Sequence, residues 1–285
     1  IEAKRQKKKY KKFKNINIYN IALGKDCKNL YFKIFHNPAH SGFLRGKNIS
    51  PLFWGERKVQ NKITRTKKIQ TISLNTFIKK NNIKFDSLKL DVEGFELVIL
   101  NHGQDIFNNL LAARSEVSFC SIFESDKKTG NFSSIHDIFT RNNFILLNLD
   151  YQGKGDHYHN FLSTKQRYGV LQRTDAVWIK DPKIIIKIFN ETQVIKIVVF
   201  LILNNGIDLA MWILQRTCKK FSNFKKNKSN PNLIYIKNEI IKHLFKLKWI
   251  PNQKLKDHKN YYEKIFNENY PEMNKFNEDK NLNPY

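Results

Sequence analysis

Acidic residues are scarce in this chain. Only 25 Asp and Glu stand against 51 Lys and Arg, a formal net charge of +26 over 285 residues. That imbalance bears on partners and solubility and leaves the fold open. Cysteine is scarcer still: Cys27, Cys120 and Cys218 lie far apart with no C-x-x-C pair. A disulfide-stapled scaffold is excluded, and a thiol-reduced, cytoplasmic setting is expected. The chain opens Ile1-Glu2-Ala3 and runs into lysines, without the pattern of a secretory leader. The longest apolar run, residues 197–203, falls far short of the ~20 residues a bilayer span needs. Eleven glycines include no G-x-G-x-x-G, and seven prolines are too few for a fibrous or low-complexity chain. Hydrophobic residues at 41% and aromatics at 13% do provide for a sizeable core.

The densest charge is KRQKKKYKKFK at residues 4–14, whose spacing fits a solvated helix with Tyr10 and Phe13 as its apolar contacts. Residues 15–22 alternate and read as a strand ended by Leu23-Gly24, and residues 30–35 read as a second strand. Residues 36–68 are basic and broken by Gly, Pro and Ser, which predicts a long loop. A short helix is predicted at 73–80, a buried strand at 85–92 and an amphipathic helix at 95–109. Further on, strands are predicted at 115–123, 144–149 and 174–180. A helix at 133–142 lies among them, with Ser133 or Ser134 as its cap. Alternating strands and helices imply an α/β sandwich with a mostly parallel sheet. Asp181-Pro182 ends the pattern, and residues 184–214 and 233–249 are helical by period. Two regions are therefore expected: an α/β domain at 1–180 and a helical C-terminal extension at 181–285.

The sharpest local feature is Leu88-Lys-Leu-Asp-Val-Glu-Gly-Phe-Glu96. A buried strand ends at Asp91 and a helix starts just past Glu93, which places both acids at the carboxyl end of a strand, where open α/β sheets bind ligands. Gly94 permits a tight turn there. The competing structural reading is a helix start in which Asp91 caps and Glu93 and Glu96 complement the dipole.

This segment resembles the signature of the FkbM family of S-adenosylmethionine-dependent methyltransferases. The matching residues are Leu74, Phe77, Lys89, Leu90, Asp91, Val92, Glu93, Gly94, Glu96, Leu100 and Gly103, with Asn75 in place of the usual Asp. Asn20-Ile21-Ala22-Leu23-Gly24 and the strand containing Asp175 resemble further family elements. The resemblance covers roughly residues 1–180. It implies a Rossmann-like class I methyltransferase sheet, S-adenosylmethionine as cofactor, and methyl transfer to a hydroxyl of a sugar or secondary metabolite. It places Asp91 and Glu93 as the catalytic pair, Asp91 also touching the cofactor. Glu2 would accept bonds from the ribose hydroxyls, with Asn20, Ile21 and Ala22 beside the adenine. Glu96, Ser41, His157 and His159 would face the acceptor.

The family's glycine-rich turn after its first strand falls before Glu2 and has no counterpart in these residues. The expectation is that the sequence is a piece of a longer reading frame. Its sheet would lack the first strand, leave the strand before Asp91 with an open edge, and bind the cofactor poorly. Asp156-His157-Tyr158-His159, with His36 and His40, has a metal-like look but lacks the spacing of a zinc site, so no metal is expected. The charge invites an alternative reading as a basic binding module for nucleic acid or an anionic polymer. No nucleic-acid motif accompanies it, so specific nucleic-acid binding is not expected. Peripheral contact with anionic surfaces remains a candidate. A third reading is a scaffold of this fold that has lost catalysis.

Overall fold

Residues 112–118, expected as a strand only from 115 onward, form one of the two inner strands of a four-stranded mixed sheet, with Ala113 and Val117 buried in its core. The computed structural model describes residues 2–46, 62–121, 123, 130–150, 155–156, 170–188 and 190–224, with positions 235 and 239. In chain order, unit one (residues 1–181) contains α1 (Glu2–Lys9), β1 (Asn29–Phe35), β2 (Ile63–Gln70), α2 (Leu74–Asn81), β3 (Ser87–Leu90) and α3 (Glu96–Asn101). It continues with β4 (Ala112–Ser118), α4 (Phe132–Arg141), β5 (Phe144–Asp150), the short pair β6 (Gly155–Asp156) and β7 (Val170–Leu171), and β8 (Arg173–Lys180). The sheet order is β3-β4-β8-β5: β3 runs parallel to β4, and β8 runs antiparallel to both β4 and β5. Among the described residues β3 has a neighbour on one side only.

One face of this sheet carries the main core. Ala113 and Val117 of β4 and Ala176 and Trp178 of β8 pack there with Ile135 and Phe139 of α4 and with Ile99 and Leu100 of α3. The Trp178 ring stacks on Phe139 at 4.5 Å between centroids, and its Nε1 donates to His136 Nδ1 at 3.1 Å. A buried indole needs such an acceptor, because an unpaired N–H in the core costs about 1–3 kcal/mol. Lys180 is also buried. Its Nζ donates to the carbonyls of Phe107 (3.0 Å) and Asn142 (2.9 Å) and lies 4.6 Å from the Phe144 ring centroid. Burial lowers its pKa from the usual lysine value. The opposite face carries Arg114 and Glu116 of β4 and Arg173 and Asp175 of β8. Arg114 bridges Asp150 (2.6 Å) and Asp175 (2.7 Å), joining three strands.

Several elements differ from the sequence reading, each for a local reason. Residues 15–22 form no strand: the only ladder contact nearby is a single parallel bridge between Leu23 and Ile72, and an alternating pattern needs a partner to become a strand. The region expected as loop contains β2, which pairs antiparallel with β1 from Asn29↔Gln70 to Phe35↔Ile63. Its sequence ITRTKKIQ is mostly exposed, so no apolar alternation announced it. The strand at 85–92 shrinks to four residues with only Leu90 buried, as suits an edge. The helix at 95–109 breaks at Gly103 into α3 and a 3₁₀ turn, Gln104–Asn108. The cap of α4 is Asn131, whose side chain accepts from Ser134 N at 2.9 Å, and not either serine. Replacing Asn131 by Ala will cost about 1 kcal/mol in urea unfolding, since a buried-side helix loses its N-terminal acceptor.

The second unit spans residues 182–285. Its described part is α5 (Pro182–Ile188), α6 (Glu191–Leu203) and α7 (Ile207–Phe224). A capping box between Asn190 and Gln193 starts α6. Asn205 in the left-handed region and the Gly206 N–H to Leu201 carbonyl bond end it, so the helix expected at 184–214 falls on three helices, α5, α6 and α7. Val194, Ile197, Val198 and Leu201 of α6 and Ala210, Ile213 and Leu214 of α7 are buried. No helix among the described residues is long and apolar enough to cross a membrane. Of the helix expected at 233–249, only positions 235 and 239 are described.

Candidate active site

The signature segment folds into a turn between β3 and α3 whose backbone only a few residue types tolerate. Glu93 has φ +52° and Gly94 φ +88°, two consecutive residues in the left-handed region. At Gly94 that conformation is free, while at Glu93 it carries a cost of about 1–3 kcal/mol. Strained non-glycine residues of this kind cluster at functional sites. The turn is closed from within by Glu96. Its side chain is 1% exposed, and Oε1 accepts from Val92 N at 3.0 Å. Burial pushes the Glu96 carboxyl up to about 7, against the pull of the Val92, Glu96 and Gly94 amides toward the charged form.

Three separate segments meet on Phe95, beside this turn. The Phe43 ring lies 4.9 Å from it between centroids. Gly24 packs so closely that a Cβ there would stand 3.1 Å from the Phe95 ring. Gly42 in turn abuts Glu93, with 3.2 Å left between an added Cβ and the Glu93 Cβ. Gly24, the pair Gly42-Phe43 and the turn 91–96 are thus brought to one place, although they lie in separate parts of the sequence.

Within this cluster the expected site residues fare differently. Glu93 is half-buried, and its pKa is raised first by burial and then by repulsion from Glu116, with Arg173 and His40 pulling the other way and Asp91 adding to the rise. Asp91 is exposed at the carboxyl end of β3 and pairs with Lys89 at 3.3 Å. Ser41 sits next to Gly42, its Oγ accepting from Phe35 N at 3.2 Å. Asn20 and Ile21 are exposed, Ile21 at 45%, and the Ala22 carbonyl accepts from Ile72 N at 3.0 Å. Glu2 opens α1, with its side chain outside the described set. His157 and His159 lie outside the described residues, and no group of metal-type ligands occurs among those described. Glu96 lies inside the protein, where a bulky acceptor does not reach it.

Sequence reading passed over three groups that surround Glu93. Glu116 of β4 and Arg173, at the start of β8, pair at 3.4 Å, and His40, which the sequence offers only as a metal-type ligand, also acts on Glu93. Glu116 and Arg173 are flanked by buried but mostly polar positions (Ser115 and Val117, Gln172 and Thr174), a pattern that announces neither a core strand nor a site. Together these groups make a carboxylate in a partly desolvated, mixed-charge setting, suited to accepting a proton from a neutral hydroxyl. The described residues do not by themselves assemble a place for S-adenosylmethionine. Asn20, Ile21 and Asp91 are exposed, and no hydrogen bond or ion pair among the described residues joins the first two to the third. Among the described residues no glycine-rich turn offers backbone amides to such a ligand, so the fit is incomplete.

The family model for the methyltransferase FkbM domain matches residues 1–146. No curated protein matches the chain, and neither does any solved structure. The matched stretch takes in the Phe95 cluster and the whole signature turn, and on that match the chain belongs to the FkbM methyltransferase domain family.

Proposed function

We propose that the domain takes part in S-adenosylmethionine-dependent O-methylation of a hydroxyl on a sugar or secondary metabolite, with Glu93 as the group that receives the hydroxyl proton. The observation that carries this reading is the packing of Gly24 and Phe43 on Phe95 and of Gly42 against Glu93, which brings two distant segments to the signature turn. Methyl transfer to oxygen needs alignment above all, with a base near the acceptor. Burial and Glu116 raise the basicity of Glu93, and Arg173 and His40 keep it ionisable. Asp91, exposed beside it, is the polar contact toward the cofactor side, and Ser41 and His40 border the acceptor side.

The same reading holds that these 285 residues form half of a Rossmann-like sheet. On this reading the order β3-β4-β8-β5 with β8 antiparallel corresponds to one half, and β3, which has a neighbour on one side only among the described residues, to its inner edge. The glycine-rich element then has to come from outside these residues, and the chain alone is inactive. Calorimetry tests this: S-adenosylmethionine titrated into residues 1–285 will give no micromolar binding. Micromolar binding would overturn the half-site reading.

A further inference from the structure

We infer that Glu96 is the positioning residue that holds Glu93 in its left-handed conformation, by anchoring the signature turn from inside and locking it to the segment that precedes α4. Its designation as positioning rests on the methyl-transfer reading of Glu93, whereas its mechanical role does not.

The geometry is specific. Val92 N lies just ahead of the strained residue, outside any helix or strand ladder, and Glu96 Oε1 satisfies it at 3.0 Å. Left unpaired, a half-buried amide at this point would drive the turn to relax. The carboxylate is also sealed from behind. Gly130 lies so close that a Cβ there would overlap Glu96 Oε2. Gly130 N donates to the Gly94 carbonyl at 3.0 Å, and the Gly130 carbonyl accepts from Ser118 N at 3.0 Å. The buried acid, the two glycines and the end of β4 therefore form one connected lock around Glu93. A helix start needs no buried acid: an exposed Glu96 would favour the dipole equally well. Burying it is unfavourable to stability, and the lock is what that position gives in exchange.

The groups facing Glu93 are Glu116 of β4, Arg173 at the start of β8, His40 of the 40–43 run and Asp91 of its own turn. If the lock opens, Glu93 swings out of this setting into water. The test is carbon-13 NMR of the Glu93 carboxyl in the whole 285-residue chain labelled at glutamate, assigned by the signal missing in Glu93→Gln. In the native chain it titrates above an ordinary glutamate. In Glu96→Ala and in Gly130→Ala, which dislodges the carboxylate without removing it, the midpoint falls to the ordinary range. In Glu96→Gln, which keeps an acceptor for Val92 N, the fall is smaller. Simple loss of stability does not move this midpoint in the folded protein. An unchanged midpoint in folded Glu96→Ala and Gly130→Ala would overturn the inference. Should neither variant fold, amide exchange at Val92 in the native chain decides: slow exchange is expected, and exchange as fast as in an open loop would overturn it. No cofactor or acceptor enters these measurements, so a failed methylation assay leaves them standing.

Discussion

Lowering the pH from 8 to 5 will stabilise the chain by up to about 3 kcal/mol through Glu96 alone, and this gain will vanish in Glu96→Gln. A carboxyl raised to about 7 in the folded state keeps its proton where the unfolded chain has released it. The stabilisation is fully present below the unfolded value near 4.5 and is lost as pH rises through 7. A difference of about two and a half units converts to roughly 3 kcal/mol at 1.36 kcal/mol per unit. Other groups titrate in the same interval, so the quantity to read is the pH dependence of the native chain minus that of Glu96→Gln, taken from urea unfolding at each pH. A difference that is flat between pH 5 and 8 would place Glu96 in water. The direction is opposite to that of a carboxylate held by a salt bridge, which loses stability on acidification.

Gly94→Ala will have an effect of similar or larger size. Two costs add at this position. An alanine at φ +88° is strained by about 1–3 kcal/mol. Its Cβ would also stand 2.5 Å from the Phe123 ring, which is 7% exposed and has little room to retreat. Overpacking of this kind costs a further 1–3 kcal/mol or so. The expected outcome is a loss of about 3 kcal/mol or more in unfolding free energy. A loss below about 1 kcal/mol would show that the turn relaxes freely, and with it the lock around Glu93.

The sequence foreshadowed the fold where burial follows the period of the element. β5 and β8 stood out because apolar residues alternate or run together along them, and α4 because Ile135 and Phe139 recur four apart, whereas the strand expected at 115–123 lies at 112–118, where Arg114, Ser115 and Glu116 break the apolar pattern. β2 did not, because a ribbon pairing with β1 needs only Ile63 and Ile69 inward and leaves Arg65, Lys67 and Lys68 in water. Residues 15–22 carried the alternation of a strand without a described partner, since pairing is a property of the neighbour and not of the segment. The signature turn was legible from the spacing of Asp91, Glu93, Gly94 and Glu96. The division of labour within it was not. Whether Glu96 faces an acceptor or the interior depends on Gly130, on another segment of the chain. The setting of Glu93 likewise comes from His40, Glu116 and Arg173, which belong to three elements whose meeting no local pattern announces.

The account rests on Glu93 being the acceptor-side base of a methyl-transfer site that these residues complete only in part. The most direct measurement is mass spectrometry of a glycan and metabolite extract incubated with isotope-labelled S-adenosylmethionine and one of three proteins. These are the 285-residue chain, the same chain with whatever native coding sequence precedes it, and that longer protein carrying Glu93→Gln. The account predicts labelled methyl on a hydroxyl oxygen with the longer protein, a loss of at least about a hundredfold in Glu93→Gln, and none with the 285 residues alone. Equal labelling by the longer protein and its Glu93→Gln variant would contradict it.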